Sequence, residues 1–169
     1  MTFNFADNNL DVIDALKQFF SKTPGINIYY DDIFNIAKNA IVSPSNCYGF
    51  MDGGIDKVYM NYFGDSIQKS VLHELTKYNG YLDVGKAVTI NTGNDKIPYL
   101  IIAPTMEMPE FVDPINCFKT MRAILREIDK HDLNEIYCPG LCTGVGEVDY
   151  LKAAEEIFKA YDKWLIEKN

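Results

Sequence analysis

Histidine and tryptophan are scarce in this chain, with two histidines (His73 and His131) and one tryptophan in 169 residues. The four cysteines, Cys47, Cys117, Cys138 and Cys142, form no CxxC and have no histidine at metal-ligand spacing, so no zinc site is expected and no metal enters the expected chemistry. A disulfide framework is not expected either, because the opening MTFNFADNNLDVIDAL has neither the basic flank nor the apolar core of a secretory leader. No apolar run approaches the roughly 18 residues of a membrane span. Positive charge is also short: 16 Lys and Arg face 24 Asp and Glu, giving a formal charge of -8 and a pI near 4.7. The basic residues are scattered, which argues against nucleic acid as a partner. Repeats, low-complexity segments and linkers are missing, so residues 1–169 read as a single domain, expected in a reducing cytoplasm, with the oligomeric state left open.

The chain is 47% hydrophobic and 13% aromatic, a profile that supports a sizeable core without metal or disulfide. Leu10, Ile13, Leu16 and Phe20 recur at helical spacing before Pro24-Gly25. Ile26 to Tyr30 and Ala40 to Ser43 read as strands, and Ile67 to Tyr78 as a helix ending in a left-handed turn at Asn79-Gly80. Ala87 to Ile90 and Ile97 to Ala103 read as strands about a turn, the second apolar enough to be covered on both faces. A helix through Phe118 to Ile128, a strand at Ile136 to Cys138 and a last helix through Leu151 to Leu165 follow. This order predicts an α/β protein, a three-layer α/β/α sandwich around a mixed, mostly parallel sheet.

Two loops stand out in that pattern. In AIVSPSNCYGFMDGGID, Ala40 to Asp56, an apolar strand runs into Asn46, a glycine-rich turn and a helix start. PGLCTGVGEVDY, Pro139 to Tyr150, repeats the same logic, with a helix expected from about Glu147. Strand, glycine turn and helix N-terminus together make an anion site of backbone N–H groups. Such local donors are needed here, because the net charge of the chain repels a phosphate compound. Asp52 and Asp56 flank Gly53-Gly54, where a carboxylate can align or deprotonate a water.

Each feature also has a plainer structural reading. Glycine turns are commonly only turns, Asp56 complements a helix dipole, Asn46 caps a turn, and Asp31-Asp32 is a solvated turn. Cys142 reads as a small buried residue and His73 as a surface or packing histidine. Tyr48, Phe50, Tyr59, Tyr62 and Phe63 serve either core packing or base stacking.

The joint order of these segments resembles the macro domain family, an ADP-ribose-binding α/β/α module. The resemblance runs from about Ile26 to the last helix, and looks closest to a microbial and phage-type branch with SPxNxxGFMDGGID and a later APTM, here Ala103 to Met106. It implies that Asp32, with Ile33 beside it, accepts from the adenine amino group, and that Asn46 contacts the distal ribose. Gly53, Gly54 and Ile55 would surround that ribose and the diphosphate, and Thr143, Gly144, Val145 and Gly146 would form the second phosphate loop. Asn46, Asp56 and Asp52 are the implied catalytic residues, with no cofactor. The chain departs from the family pattern at Asp31 in place of a glycine, at a run of only two glycines, at Val145 in place of a bulkier residue, and at Ala103-Pro104 where many relatives carry histidine. Three functional readings stay open: a hydrolase acting on ADP-ribose-1''-phosphate or an ADP-ribosyl bond, a binding module for ADP-ribose, and an inert scaffold.

Overall fold

Six strands form one sheet in the computed structural model, which describes residues 1–169. They are β1 (Thr2–Asp7), β2 (Ile26–Tyr30), β3 (Ala40–Ser43), β4 (Val88–Asn91), β5 (Tyr99–Ile102) and β6 (Glu135–Cys138). Their spatial order is β2-β1-β6-β3-β5-β4. Every neighbouring pair is parallel except β4 with β5, which the short turn between them makes antiparallel. The sheet is therefore mixed and mostly parallel, as the sequence pattern predicts.

Side chains alternate between the two faces, and each face has its own core. Phe3, Phe5, Val42, Ile101 and Ile136 pack beneath α1 (Leu10–Phe20), α5 (Ile115–Lys130) and α6 (Tyr150–Lys168). Ala6, Ile41, Leu100, Ile102 and Tyr137 pack beneath α2 (Ile33–Ile36), α3 (Gly54–Phe63) and α4 (Ser66–Leu75). Two helical layers about one sheet is the expected three-layer sandwich. A 3-10 turn, Thr76–Tyr78, follows α4 and ends at Asn79, whose φ of 56° is the left-handed stop read from Asn79-Gly80.

The strand β1 is one the sequence pattern does not announce. Phe3, Asn4, Phe5 and Ala6 are all buried, and the strand lies inside the sheet between β2 and β6. The polar Asn4 interrupts the apolar run, yet it is only 2% exposed. Asn4 Nδ2 donates to Ile136 O at 3.0 Å, and its Oδ1 accepts from Asn27 Nδ2 at 2.9 Å, so burial leaves no polar atom of it orphaned. The last helix also differs from expectation: it begins at Tyr150, capped by Asp149, and not near Glu147, which has φ 50° and lies in a turn. No helix is long and apolar enough to cross a membrane.

Candidate functional site

The parallel strands β1, β3, β5 and β6 all end on the same edge of the sheet, and the loops leaving them enclose a cavity of about 640 Å³. In open α/β sheets this carboxyl edge is where ligands lie. Asp32, Ile33, Asn46, Asp52, Gly53, Gly54, Ile55, Asp56, Thr143, Gly144, Val145 and Gly146 all line it. Segments more than a hundred residues apart in sequence thus share one wall.

The first loop is held open by its own side chains. Asn46 Oδ1 accepts from the N–H groups of Tyr48 and Phe50 at 3.1 and 3.2 Å, and its Nδ2 donates to Phe50 O at 2.9 Å. Gln68, on α4, clamps the tip: its Oε1 accepts from Met51 N at 2.7 Å and its Nε2 donates to Gly49 O at 2.8 Å. Gly49 has φ +72°, and a Cβ there would stand 2.8 Å from Val71 Cγ1 and 2.9 Å from Leu75 Cδ2, so the loop can lie on α4 only with glycine. These contacts deliver the chain to Gly53, the first residue before α3.

No side chain caps α3. The N–H groups of Gly54, Ile55 and Asp56 find no acceptor within the protein, and all three residues line the cavity. In the second loop the N–H groups of Thr143, Gly144, Val145 and Gly146 are likewise unused, while those of Glu147 and Val148 are spent on Gly144 O and Cys142 O at 3.1 and 3.0 Å. Gly146 is buried under Val112, whose N–H donates to Gly146 O at 3.1 Å, and a Cβ there would lie 2.8 Å from Cys142 O. Two rows of unused donors therefore belong to residues that line one cavity. The helix dipole adds to them from α3 and not, as expected from the sequence, from the helix after the second loop, because Asp149 Oδ1 accepts from Lys152 N at 3.1 Å and neither residue lines the cavity.

The carboxylates have distinct settings. Asp32 is exposed and caps α2, its Oδ1 accepting from Phe34 N at 2.9 Å. Asp52 is exposed at the loop tip. Asp56 is 5% exposed, and Ser43 Oγ donates to its Oδ1 at 2.5 Å. Burial pushes its pKa up to about 6, and the Ser43 hydrogen bond only partly opposes the shift. Cys142 also lines the cavity; its contact with Cys117 and its burial raise its thiol pKa well above the ordinary range, which disfavours the nucleophilic thiolate. His73 is exposed on α4, outside the cavity. Among the aromatics, Tyr59 is buried and donates to Val42 O at 2.8 Å, Tyr62 stacks on Phe34 with centroids 4.0 Å apart, and Phe50 alone of the five lines the cavity.

Several lining residues escape the sequence reading. Asp7, Asn8 and Asn9 join β1 to α1, and Asp7 ties that turn to the second loop: its Oδ1 accepts from Asn9 N at 2.8 Å and its Oδ2 from Gly140 N at 3.0 Å. The signal was present, since FNFA followed by DNN and Leu10 repeats the strand, polar turn and helix order of the other two loops. Ser45, Thr105 and Met106 complete the wall, with Met106 bridged to Asn46.

This sheet order, with a cavity walled by an Asn-bearing glycine loop and a second glycine loop, defines an α/β/α module with a ligand-sized cavity at its carboxyl edge. The Macro domain family model matches residues 42–157, and the chain belongs to that family. A protein of Aquifex aeolicus described as uncharacterized is 33% identical over 147 residues, covering 83% of this chain and 85% of its own. The macrodomain of Mycobacterium tuberculosis DarG superposes with a TM-score of 0.68 at 19% identity, over 79% of this chain and 88% of that one. Thermosipho africanus DarTG in complex with ADP-ribose superposes with a TM-score of 0.67 at 14% identity, over 90% of this chain and 48% of that one. At these identities the two solved structures are likenesses of fold.

Proposed function

We propose that this protein binds ADP-ribose in the cavity at the carboxyl edge of the sheet and hydrolyses a bond at its distal ribose. The observation that carries the binding reading is the pair of unused N–H rows, Gly54 to Asp56 and Thr143 to Gly146, in a cavity that no Lys, Arg or His lines. Such a surface suits a diphosphate held by backbone dipoles and a helix N-terminus. The family and the ADP-ribose complex of a protein with the same fold agree with that ligand. Along the edge, Asp32 beyond β2 takes the adenine amino group, the two loops beyond β6 and β3 take the diphosphate, and Asn46 takes the distal ribose. With about 4.8 Å between strands, β2 to β3 spans roughly 14 Å, a length that suits the extended nucleotide.

Hydrolysis then needs a water beside the distal ribose and a group to take its proton. Asp56 has that role in this reading: Ser43 holds Oδ1, and Oδ2 has no protein partner. The attacking water gives its proton to Asp56, and the bond to phosphate or to the linked side chain breaks with ADP-ribose as the product. A specific observation favours a second reading, a module that binds without turnover. The Asn46 amide is committed to its own loop, and Asp56 is buried against Ser43, so both groups already have structural work.

Titration calorimetry with ADP-ribose and phosphate release from ADP-ribose-1''-phosphate test the two parts separately. Heat of binding is expected, and its absence at millimolar ligand removes the ligand assignment. Asp32→Ala is expected to weaken ADP-ribose far more than ribose phosphate. Asp56→Ala is expected to slow release by about 10²- to 10⁴-fold. Unchanged release in Asp56→Ala leaves binding as the function.

A further inference from the structure

One more segment adjoins the Asn46 side of the cavity. The chain leaves β5 through Thr105 and Met106, is bridged to Asn46 at Met106, and returns to the second loop where Val112 N–H meets Gly146 O at 3.1 Å. The stretch between them, Glu107 to Phe111, is exposed throughout, and its Pro109 lines the cavity that also holds Asn46, the residue given to the distal ribose in the proposed pose. It carries two large apolar side chains, Met108 at 47% exposure and Phe111 at 77%, and the cavity lining adds two more that are exposed, Phe50 at 46% and Val145 at 49%. Its charges are of one sign. Glu107 and Glu110 lie on it, Asp113 follows it, and Asp52 and Glu147 stand exposed on the two facing loops.

Cations are absent from the loops that carry the rim residues, and Lys57, on the first turn of α3, is the cation next to the cavity wall. Residues 39–56, 97–118 and 132–151 contain no Lys, Arg or His. An apolar, uniformly acidic rim repels a nucleic acid or an acidic peptide and attracts a chain that alternates basic and aromatic or aliphatic residues.

We propose that the rim formed by Glu107 to Phe111, Phe50, Asp52, Val145 and Glu147 docks a basic, aromatic-containing peptide segment that carries the ADP-ribose. This inference rests on the ADP-ribose reading of the cavity and names the class of carrier.

Fluorescence polarisation tests it with four probes: free ADP-ribose, a synthetic peptide bearing one ADP-ribose on a serine flanked by Arg and Phe, the same peptide with Glu flanks, and an ADP-ribosylated oligonucleotide. The Arg-flanked conjugate is expected to bind about tenfold tighter than free ADP-ribose at low salt. Its advantage falls as ionic strength rises. The Glu-flanked peptide and the oligonucleotide are expected to bind no better than free ADP-ribose. The double variant Glu110→Lys, Phe111→Ala, neither residue lining the cavity, removes the advantage and leaves free ADP-ribose affinity unchanged. Equal affinity for free ADP-ribose and the Arg-flanked conjugate, or tighter binding of the oligonucleotide or the Glu-flanked peptide, overturns the rim assignment alone. Absence of binding to free ADP-ribose overturns the cavity reading, and this one with it.

Discussion

In the proposed reaction the proton chemistry falls on a single residue, Asp56. Its carboxyl is ordinarily ionised near pH 3.8 and here near 6, because burial disfavours the charged form more than Ser43 favours it. The folded chain therefore holds a proton that the unfolded chain has lost between those two values. Stability falls as pH rises through that window and is level above it, with a cost of about 3 kcal/mol at neutral pH. Asp56→Asn, which keeps a hydrogen-bonding oxygen for Ser43, is expected to raise the urea midpoint at pH 7.5 and to change it little at pH 3.5; a midpoint that drops at both pH values would contradict the assigned shift. The same residue ties turnover to pH. If Asp56 accepts the proton of water, phosphate release rises with pH to a plateau above about 6, whereas a pH-independent rate assigns the base elsewhere.

At the scale of elements, the site depends on how α4 supports the first loop. α4 does not line the cavity, yet Gln68 holds Met51 and Gly49, and Val71 and Leu75 lie where any side chain at residue 49 would go. Gly49→Ala would combine a left-handed backbone with overpacking, at a combined cost of roughly 2–4 kcal/mol. Chemical denaturation is expected to show that loss, and calorimetry weaker ADP-ribose binding, since relief of the clash moves the loop that leads to α3. Full affinity in a destabilised Gly49→Ala protein would mean that the loop does not set the ligand site. α3 contributes through its end and not its length: an uncapped N-terminus is unfavourable in the free protein, and a bound anion supplies the missing partners.

At the scale of the molecule, the cavity is positioned by the two cores that clamp β1 in the sheet. Phe5 is fully buried, packs on Phe3 and Phe20 with centroids 4.9 Å from the first in the Phe3–Phe5 pair and 5.2 Å in the Phe5–Phe20 pair, and lies two residues before Asp7. Phe5→Ala is expected to cost about 3–5 kcal/mol in equilibrium unfolding. A loss under 1 kcal/mol would show that β1 is peripheral. A second buried device closes the far side: Glu127, 6% exposed, accepts from Thr89 Oγ1 at 2.9 Å and from Lys130 Nζ at 3.0 Å, which joins α5 to β4.

The sequence by itself determined the local elements and the chemistry they carry. Periodicity fixes α1, β2, β3 and the Asn79 stop because those signals are local, and SPSNCYGFMDGGID with TGVG marks the cavity loops through their joint order of strand end, glycine turn and helix start, since each residue alone has an ordinary turn or cap role. Tertiary structure decided what pairs with what. β1 can hold the polar Asn4 inside the sheet because Ile136 O and Asn27 satisfy it, partners 132 and 23 residues away that no local pattern along the chain announces. The same holds for Asp7 against Gly140, for Gln68 beneath the first loop, and for the burial that shifts Asp56. Hydrogen bonds and desolvation act through space, and the strand order β2-β1-β6-β3-β5-β4 set which groups they reached.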